Sequence, residues 1–388
     1  LLPLYYRLNL VSIYGYLEQR FGFWSYKTGS AFFLLSRAVQ AAFRLFLVAI
    51  VLQTALFDSF GVPFWVSVAV TILLIWVYTF KGGIKTIVWT DTLQTSFLLI
   101  AVVTTIFIIT KELGWSISEA IGEIQASDLS KTFYFEWESP KFFLKQFISG
   151  ALIAIVMTGL DQDMMQKNLT CKSLKDAQKN IFWFSVILVV ANILILCMGA
   201  LLYFYAEQNG IEIPARTDGL YPLLALNHLG TFAGVVFLLG IIAAAYSSAD
   251  SALTALTTAF CVDFLNFDNK EESEKKRTRL KVHIAFSVIL FLIILVFSAI
   301  NDDSVINSIF RAAGYTYGPL LGLFSFGLLT KRSVQDKYVM VVCIAAPILS
   351  YIIDLNTDGW FGFFVLALNG ALTFLGLLMI SKKAGTSS

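Results

Sequence analysis

The residues best suited to chemistry lie in one apolar stretch. There Ala244-Ala245-Tyr246-Ser247-Ser248-Ala249-Asp250-Ser251 is followed by Thr254, Thr257 and Thr258. Ser247, Ser251, Thr254 and Thr258 fall at i, i+4, i+7 and i+11, so a helix presents them as one polar stripe. A carbonyl freed at Ala244, one turn before Ser247 and Ser248, would face the same way. Hydroxyls, a carbonyl and a nearby carboxylate are the oxygen donors a hard cation takes. The same small residues would also suit a close helix–helix interface, with the hydroxyls bonded back to their own helix. That alternative does not account for Asp250, because packing requires no carboxylate.

Other polar residues fall inside apolar runs. Asp91 lies about 9 Å of helix beyond Lys85, at ~1.5 Å per residue, and Gln94 adds an oxygen one turn further on. Asp91 belongs either to an ion site or to the membrane boundary, where it would reach water or pair with Lys85. Thr158-Gly159-Leu160-Asp161-Gln162-Asp163, with Ser149-Gly150 upstream, suggests a helix that can unwind. Discontinuous helices of this kind bind substrates near the bilayer midplane, although a plain helix cap at Gly159 gives the same pattern. Arg37, Gln40 and Arg44 share one helical face. Arg37 is near enough to the inner surface to snorkel. Arg44 is too deep for that and should face a cavity. There its guanidinium could hold a substrate carboxylate or pair internally with Asp161 or Asp250. Arg311, near an outer end, is expected to snorkel.

The elements that must carry these residues are set by composition. Of the 388 residues 57% are AVILMFWYC and 14% are charged, with a mean hydropathy of +0.76. A soluble domain is nearer half apolar and a quarter charged. Apolar stretches long enough to cross a bilayer run near 31–57, 62–80, 87–110, 143–163, 181–206, 231–262, 282–300, 304–329, 338–354 and 360–380. The chain therefore reads as an all-α polytopic membrane protein of about ten transmembrane helices. A net charge of +2 points to no nucleic-acid partner. Cys171, Cys197, Cys261 and Cys343 show neither metal spacing nor a disulfide framework, and no signal peptide is visible.

Orientation follows from the basic residues. With residues 1–30 inside, twenty of the 28 Lys+Arg are cytoplasmic, five are outside and three lie within spans, so both ends of the chain are expected in the cytoplasm. Outside, the loop 112–142 contains an amphipathic stretch, Trp115–Ile124. The loop 207–230 contains Asp218-Gly219-Leu220-Tyr221-Pro222-Leu223-Leu224, too short to span and expected to form a re-entrant or interfacial helix. Inside, the mixed charges from Asn269 to Arg277 read as a solvated hinge.

Taken together, the motifs resemble the sodium:solute symporter family. The resemblance rests on Ser12–Gly22, Gly82-Gly83-Ile84-Lys85, and Trp89-Thr90-Asp91-Thr92-Leu93-Gln94. It continues through Gly159-Leu160-Asp161-Gln162 with Gln166-Lys167, Asp218…Tyr221-Pro222, Ala244–Ser251 and Tyr315-Thr316-Tyr317-Gly318-Pro319-Leu320-Leu321-Gly322. It implies a LeuT-type bundle of inverted repeats in a single transmembrane domain. Residues 31–110 would be the remainder of the first repeat, 143–329 the second, and 338–380 accessory helices. It also implies that two core helices precede Leu1 and that the chain is a fragment of the transporter.

By the same resemblance, the main sodium site takes Ala244, Ser247 and Ser248. A further sodium site maps to Asp91 with Ser247 and Ser251, near Gln94. Asp250 stands where such members carry a hydroxyl, and Lys167 where arginine is commoner. Candidate substrate contacts are Arg44, Gln40, Asp161, Gln162 and Tyr315. The expected function is sodium-coupled import of a small, possibly anionic solute by alternating access, with sodium and the solute as partners in a lipid bilayer. A membrane sensor on the same bundle is the second reading; the little chain after Lys383 would leave no room for a signalling domain. No enzyme is expected: the only histidines, His228 and His283, are far apart, and no nucleophile–base pair or metal motif appears.

Overall fold

The computed structural model describes the backbone of residues 1–10, 12–79, 84–265, 267, 271–300 and 304–382, and their side chains apart from 77–79, 84–90 and 245–247. Gly82-Gly83, residues 268–270 of the charged linker, Lys383 and the side chains of Lys85 and Ser247 lie outside the described residues. In lipid a backbone must satisfy its own polar groups, and each apolar stretch accordingly coincides with helix. In chain order these are α1 (Leu2–Leu8), α2 (Gly15–Arg20), α3 (Phe23–Leu52), α4 (Phe64–Thr79), α5 (Ile84–Glu112), α6 (Ile117–Ala126), α7 (Phe143–Ala154) and α8 (Gln162–Leu169). They continue with α9 (Leu174–Gln208), α10 (Leu220–Asn227), α11 (Gly230–Phe264), α12 (Glu272–Ile300), α13 (Val305–Leu329), α14 (Val339–Asn356) and α15 (Val365–Met379).

Among the described residues, seven helices are long and apolar enough to cross a membrane, and the bent pair α7–α8 makes an eighth if taken as one span. The remaining two of the expected ten are α4, whose apolar part is short, and α13. The latter carries Asn307 and Arg311 but has much of its surface buried against protein, where polarity costs less than it does against lipid. The amphipathic outer stretch folds as α6. Its N-terminus is closed by a capping box in which Ser116 and Glu119 exchange hydrogen bonds, satisfying two amides reciprocally. The Ser116 N–H holds the Glu119 carboxyl below its usual range. The outer apolar run folds as the short helix α10. Tyr221 on it meets Thr105 of α5 (2.6 Å), and Asp218 just before it accepts from the Val305 N–H at the start of α13 (2.8 Å).

Around the N-terminus of α3, side chains close the helix ends. Asp336 accepts from the Trp24 and Ser25 amides, both at 2.8 Å, placing a carboxylate on the N-terminus of α3. Arg20 donates to the Thr330 and Arg332 carbonyls (2.8 and 2.9 Å) beyond the end of α13. Tyr26 on α3 donates to Asp263 on α11 (2.7 Å). A two-stranded antiparallel pair, Ser333–Val334 with Ser381–Lys382, joins the segments after α13 and α15.

The closest helix pair is α13 with α15. Gly314, Gly318 and Gly322 recur every four residues, and a Cβ at Gly318 would overlap Asn369, while one at Gly322 would overlap Thr373. Small residues at this spacing let two membrane helices approach. Pro319 lies inside α13 and lacks the N–H that would pair with the Tyr315 carbonyl. Asn369 supplies the missing donor, reaching the Tyr315 carbonyl at 2.9 Å and the Gly314 carbonyl at 3.1 Å. Replacing Asn369 by Leu leaves those carbonyls without that donor at a buried interface. Each such loss costs about 1–3 kcal/mol, so the unfolding temperature in detergent should fall by several degrees while helix content stays constant.

Candidate functional site

The bend between α7 and α8 organises the site. From Phe143 the chain is a regular helix. It widens into a π-turn over Ile155–Gly159, then turns by 60° before α8 resumes at Gln162. A break at membrane depth exposes peptide groups that would cost several kcal/mol each if left unpaired. They are met by side chains from the first segment of the chain. Tyr5 donates to the Gly159 carbonyl and Tyr14 to the Leu160 carbonyl, both at 2.8 Å, and Gln162 accepts from the Ile13 N–H at 2.9 Å. Asp161 is extended and caps α8, accepting from Met164 N–H at 3.1 Å, the role for which a short carboxylate is preferred. Its other oxygen accepts from the Tyr317 hydroxyl at 2.6 Å.

A chain of charges runs from this bend along α8. Arg37 bonds Asp163 directly and lies 3.9 Å from Asp161. Lys167, one turn beyond Asp163 and 3.9 Å from it, bonds Asp91 at 3.0 Å and the Ser251 hydroxyl at 2.6 Å. Three carboxylates and two cations, drawn from α3, α5 and α8, form one network that also takes in Ser251 of α11.

Arg37 therefore does not snorkel. α3 begins at Phe23, earlier than its apolar stretch suggested. That places Arg37 fourteen residues, or ~21 Å, into the helix, and it is only 7% exposed. At that depth only an ion pair compensates the charge. The internal pair considered for Arg44 is made by Arg37, with Asp161 and Asp163.

The remaining candidates separate into two groups. Gln162 and Asp161 sit at the bend. Gln40 is buried with its amide beside the Tyr317 hydroxyl. Arg44 is half-buried and makes no hydrogen bond or ion pair among the described residues, though it lies in the field of Arg37, Asp161 and Asp163. Tyr315 is not brought here: its hydroxyl donates to Asp354 on α14 (3.1 Å), and Tyr317, two residues on, faces Asp161 instead. On α11, Ala244 and Ser248 are half-buried and Asp250 is buried, with Thr254 donating to Asp250 at 3.5 Å. Gln94 is half-buried, and its amide oxygen has no hydrogen-bond partner among the described residues. Between Asp91 and Ser251 the structure places an ammonium, not an oxygen-only cradle. Beyond Arg44, a cavity of about 530 Å³ lies between the outer half of α3, at Phe46, Leu47 and Ile50, and the outer helix α10, at Pro222 and Leu226.

Tyr5, Tyr14, Tyr317, Asp163 and Lys167 are the members sequence reasoning did not select. The one available signal was the i, i+4 spacing of Asp163 and Lys167 beside Asp161. Tyr14 and Tyr317 fall within the family motifs, but nothing in their spacing shows that they meet the bend, which they reach from distant segments.

Comparison with known proteins places these features in a lineage. A family model described as the sodium:solute symporter family matches residues 1–337. The sodium/sialic acid symporter of Proteus mirabilis (strain HI4320) is 26% identical over 365 residues, covering 92% of this chain and 73% of that protein. The sodium-coupled monocarboxylate transporter 1 of Mus musculus is 26% identical over 343 residues, covering 84% of this chain and 54% of that protein. A solved structure described as the substrate-bound outward-open state of a Na+-coupled sialic acid symporter superposes with a TM-score of 0.82 at 22% identity. It covers 98% of this chain and 80% of that one. At that identity the likeness shows the fold, the LeuT-type helical bundle expected from the motifs.

The charge network yields a direct test. Arg37→Met leaves Asp161 and Asp163 buried with one cation fewer, a loss of about 3–5 kcal/mol. Arg44→Met removes no ion pair. Thermal unfolding in detergent should show a large drop for the first and a much smaller one for the second.

Proposed function

Since the chain belongs to the sodium:solute symporter family, we propose that it carries a small carboxylated solute inward by sodium-driven alternating access. The observation that carries this reading is the broken span α7–α8, whose bend is held by Asp161, Tyr14 and Tyr317 at the centre of the bundle. Relatives named for sialic acid and for monocarboxylates share one chemical feature, a carboxylate on the solute. Arg44 is the cation suited to it. Arg37 is engaged by Asp161 and Asp163, whereas Arg44 lies seven residues further along α3, two residues before Phe46, the first residue of α3 that lines the cavity. Arginine's planar fork matches a carboxylate in two parallel bonds.

The coupling sodium is assigned to the Ala244 carbonyl with the Ser247 and Ser248 hydroxyls. Those groups are oxygen donors without a fixed charge, as suits a monovalent ion that must also leave. Sodium drives the switch only by binding one state more tightly than the other. An inward potential adds about 2.3 kcal/mol per charge per 100 mV. The protein is an integral membrane protein. The excess of inner basic residues supports placing both ends in the cytoplasm and the bundle in the cell membrane.

Uptake into proteoliposomes tests the reading. Labelled sialic acid and short monocarboxylates should accumulate under an inward sodium gradient and not when choline replaces sodium. Arg44→Gln should abolish uptake of the carboxylate that is carried. Ser248→Ala should raise the sodium needed for half-maximal uptake by about tenfold or more, equivalent to ~1.4 kcal/mol. Equal accumulation in choline would refute the proposal.

A further inference from the structure

We propose that the Lys167 ammonium permanently occupies the place of a second sodium ion, so that the protein couples its solute to one sodium only. The inference rests on the sodium reading above and concerns how many ions that reading involves. The oxygens on which a further ion could sit are Asp91 on α5 and Ser251 on α11. Both are bonded to the Lys167 nitrogen, at 3.0 and 2.6 Å. An ammonium has the same unit charge as sodium and donates hydrogen bonds to the kind of oxygen that would ligate the ion. The two therefore compete for one position, and placing both there would set like charges side by side.

The geometry holds Lys167 in that position. It lies on α8, the inner half of the broken span, with Asp163 one turn before it and 3.9 Å from its nitrogen. Asp163 is itself fixed by Arg37. The ammonium is thus anchored to a helix by its own side chain and linked back to the buried network. A sodium ion at this place would join α5 to α11 only while bound and would leave on the inner side in each cycle. The tethered cation joins α5, α8 and α11 and does not leave. Asp91 is neutralised without consuming an ion, and the charge moved with the solute is that of the ion at Ala244, Ser247 and Ser248 alone.

Sodium binding can be counted without knowing the solute. The purified protein is saturated with 22Na+ and the ions bound per polypeptide are measured, with choline as the competitor that does not bind. The expected results are one ion in the wild type, one in Asp91→Asn, one in Lys167→Arg, which keeps a cation, and two in Lys167→Met, which removes it. Two ions in the wild type falling to one in Asp91→Asn would overturn the proposal, as would one ion in Lys167→Met. If Lys167→Met does not fold, the wild-type and Asp91→Asn counts decide the matter between them. No bound sodium in any variant would remove the sodium reading itself, an outcome distinct from a count of two in the wild type.

Discussion

A helix that breaks within a membrane exposes peptide groups where no water can reach them, and something else in the protein must bond to them. Much of the architecture around α7 and α8 answers that requirement. Tyr5 and Tyr14 supply hydroxyls to the carbonyls of Gly159 and Leu160, and Gln162 meets the Ile13 amide. These contacts tie residues at the beginning of the chain to a segment some 150 positions later. The break is therefore a consequence of the tertiary fold as much as of the local Thr-Gly sequence. A second break is handled in the same way: Pro319 interrupts α13, and Asn369 on α15 meets the carbonyl that is released.

The charges are arranged around the first break in a graded way. Nearest to it, Asp161 divides its two oxygens between the cap of α8 and Tyr317, so its charge is dispersed into hydrogen bonds. Asp163 and Arg37 form a directly bonded pair in a buried setting, where removing one partner would leave the other uncompensated. Asp91 and Lys167 are more exposed, at 22% and 31% of their side chains, so solvent meets part of their charge.

This layout also separates two arginines that share one helical face. Arg37 is structural: it neutralises the carboxylates that cap and follow the bend. Arg44, half-buried and about two turns beyond it, makes no ion pair among the described residues. The difference is one of neighbours. α8 brings Asp163 to Arg37, whereas among the described residues no carboxylate is bonded to Arg44.

Much of this protein could be read from the order of its residues. Composition and the length of its apolar runs established a polytopic helical bundle, because hydrocarbon tolerates little else. The helical spacing of Ser247, Ser251, Thr254 and Thr258 marked a polar stripe, and the amphipathic stretch Trp115–Ile124 and the short helix at Leu220 were visible in local pattern. Tertiary structure alone decided the partners. Depth along α3 depends on where the helix begins, and Asp336, more than three hundred residues away, caps it at Phe23. Arg37 therefore lies deep and paired rather than at the surface. Which tyrosine meets Asp161, and that Lys167 reaches Asp91 and Ser251, depend on how four distant helices converge. Periodicity reports which face a side chain occupies; only packing determines what stands opposite that face.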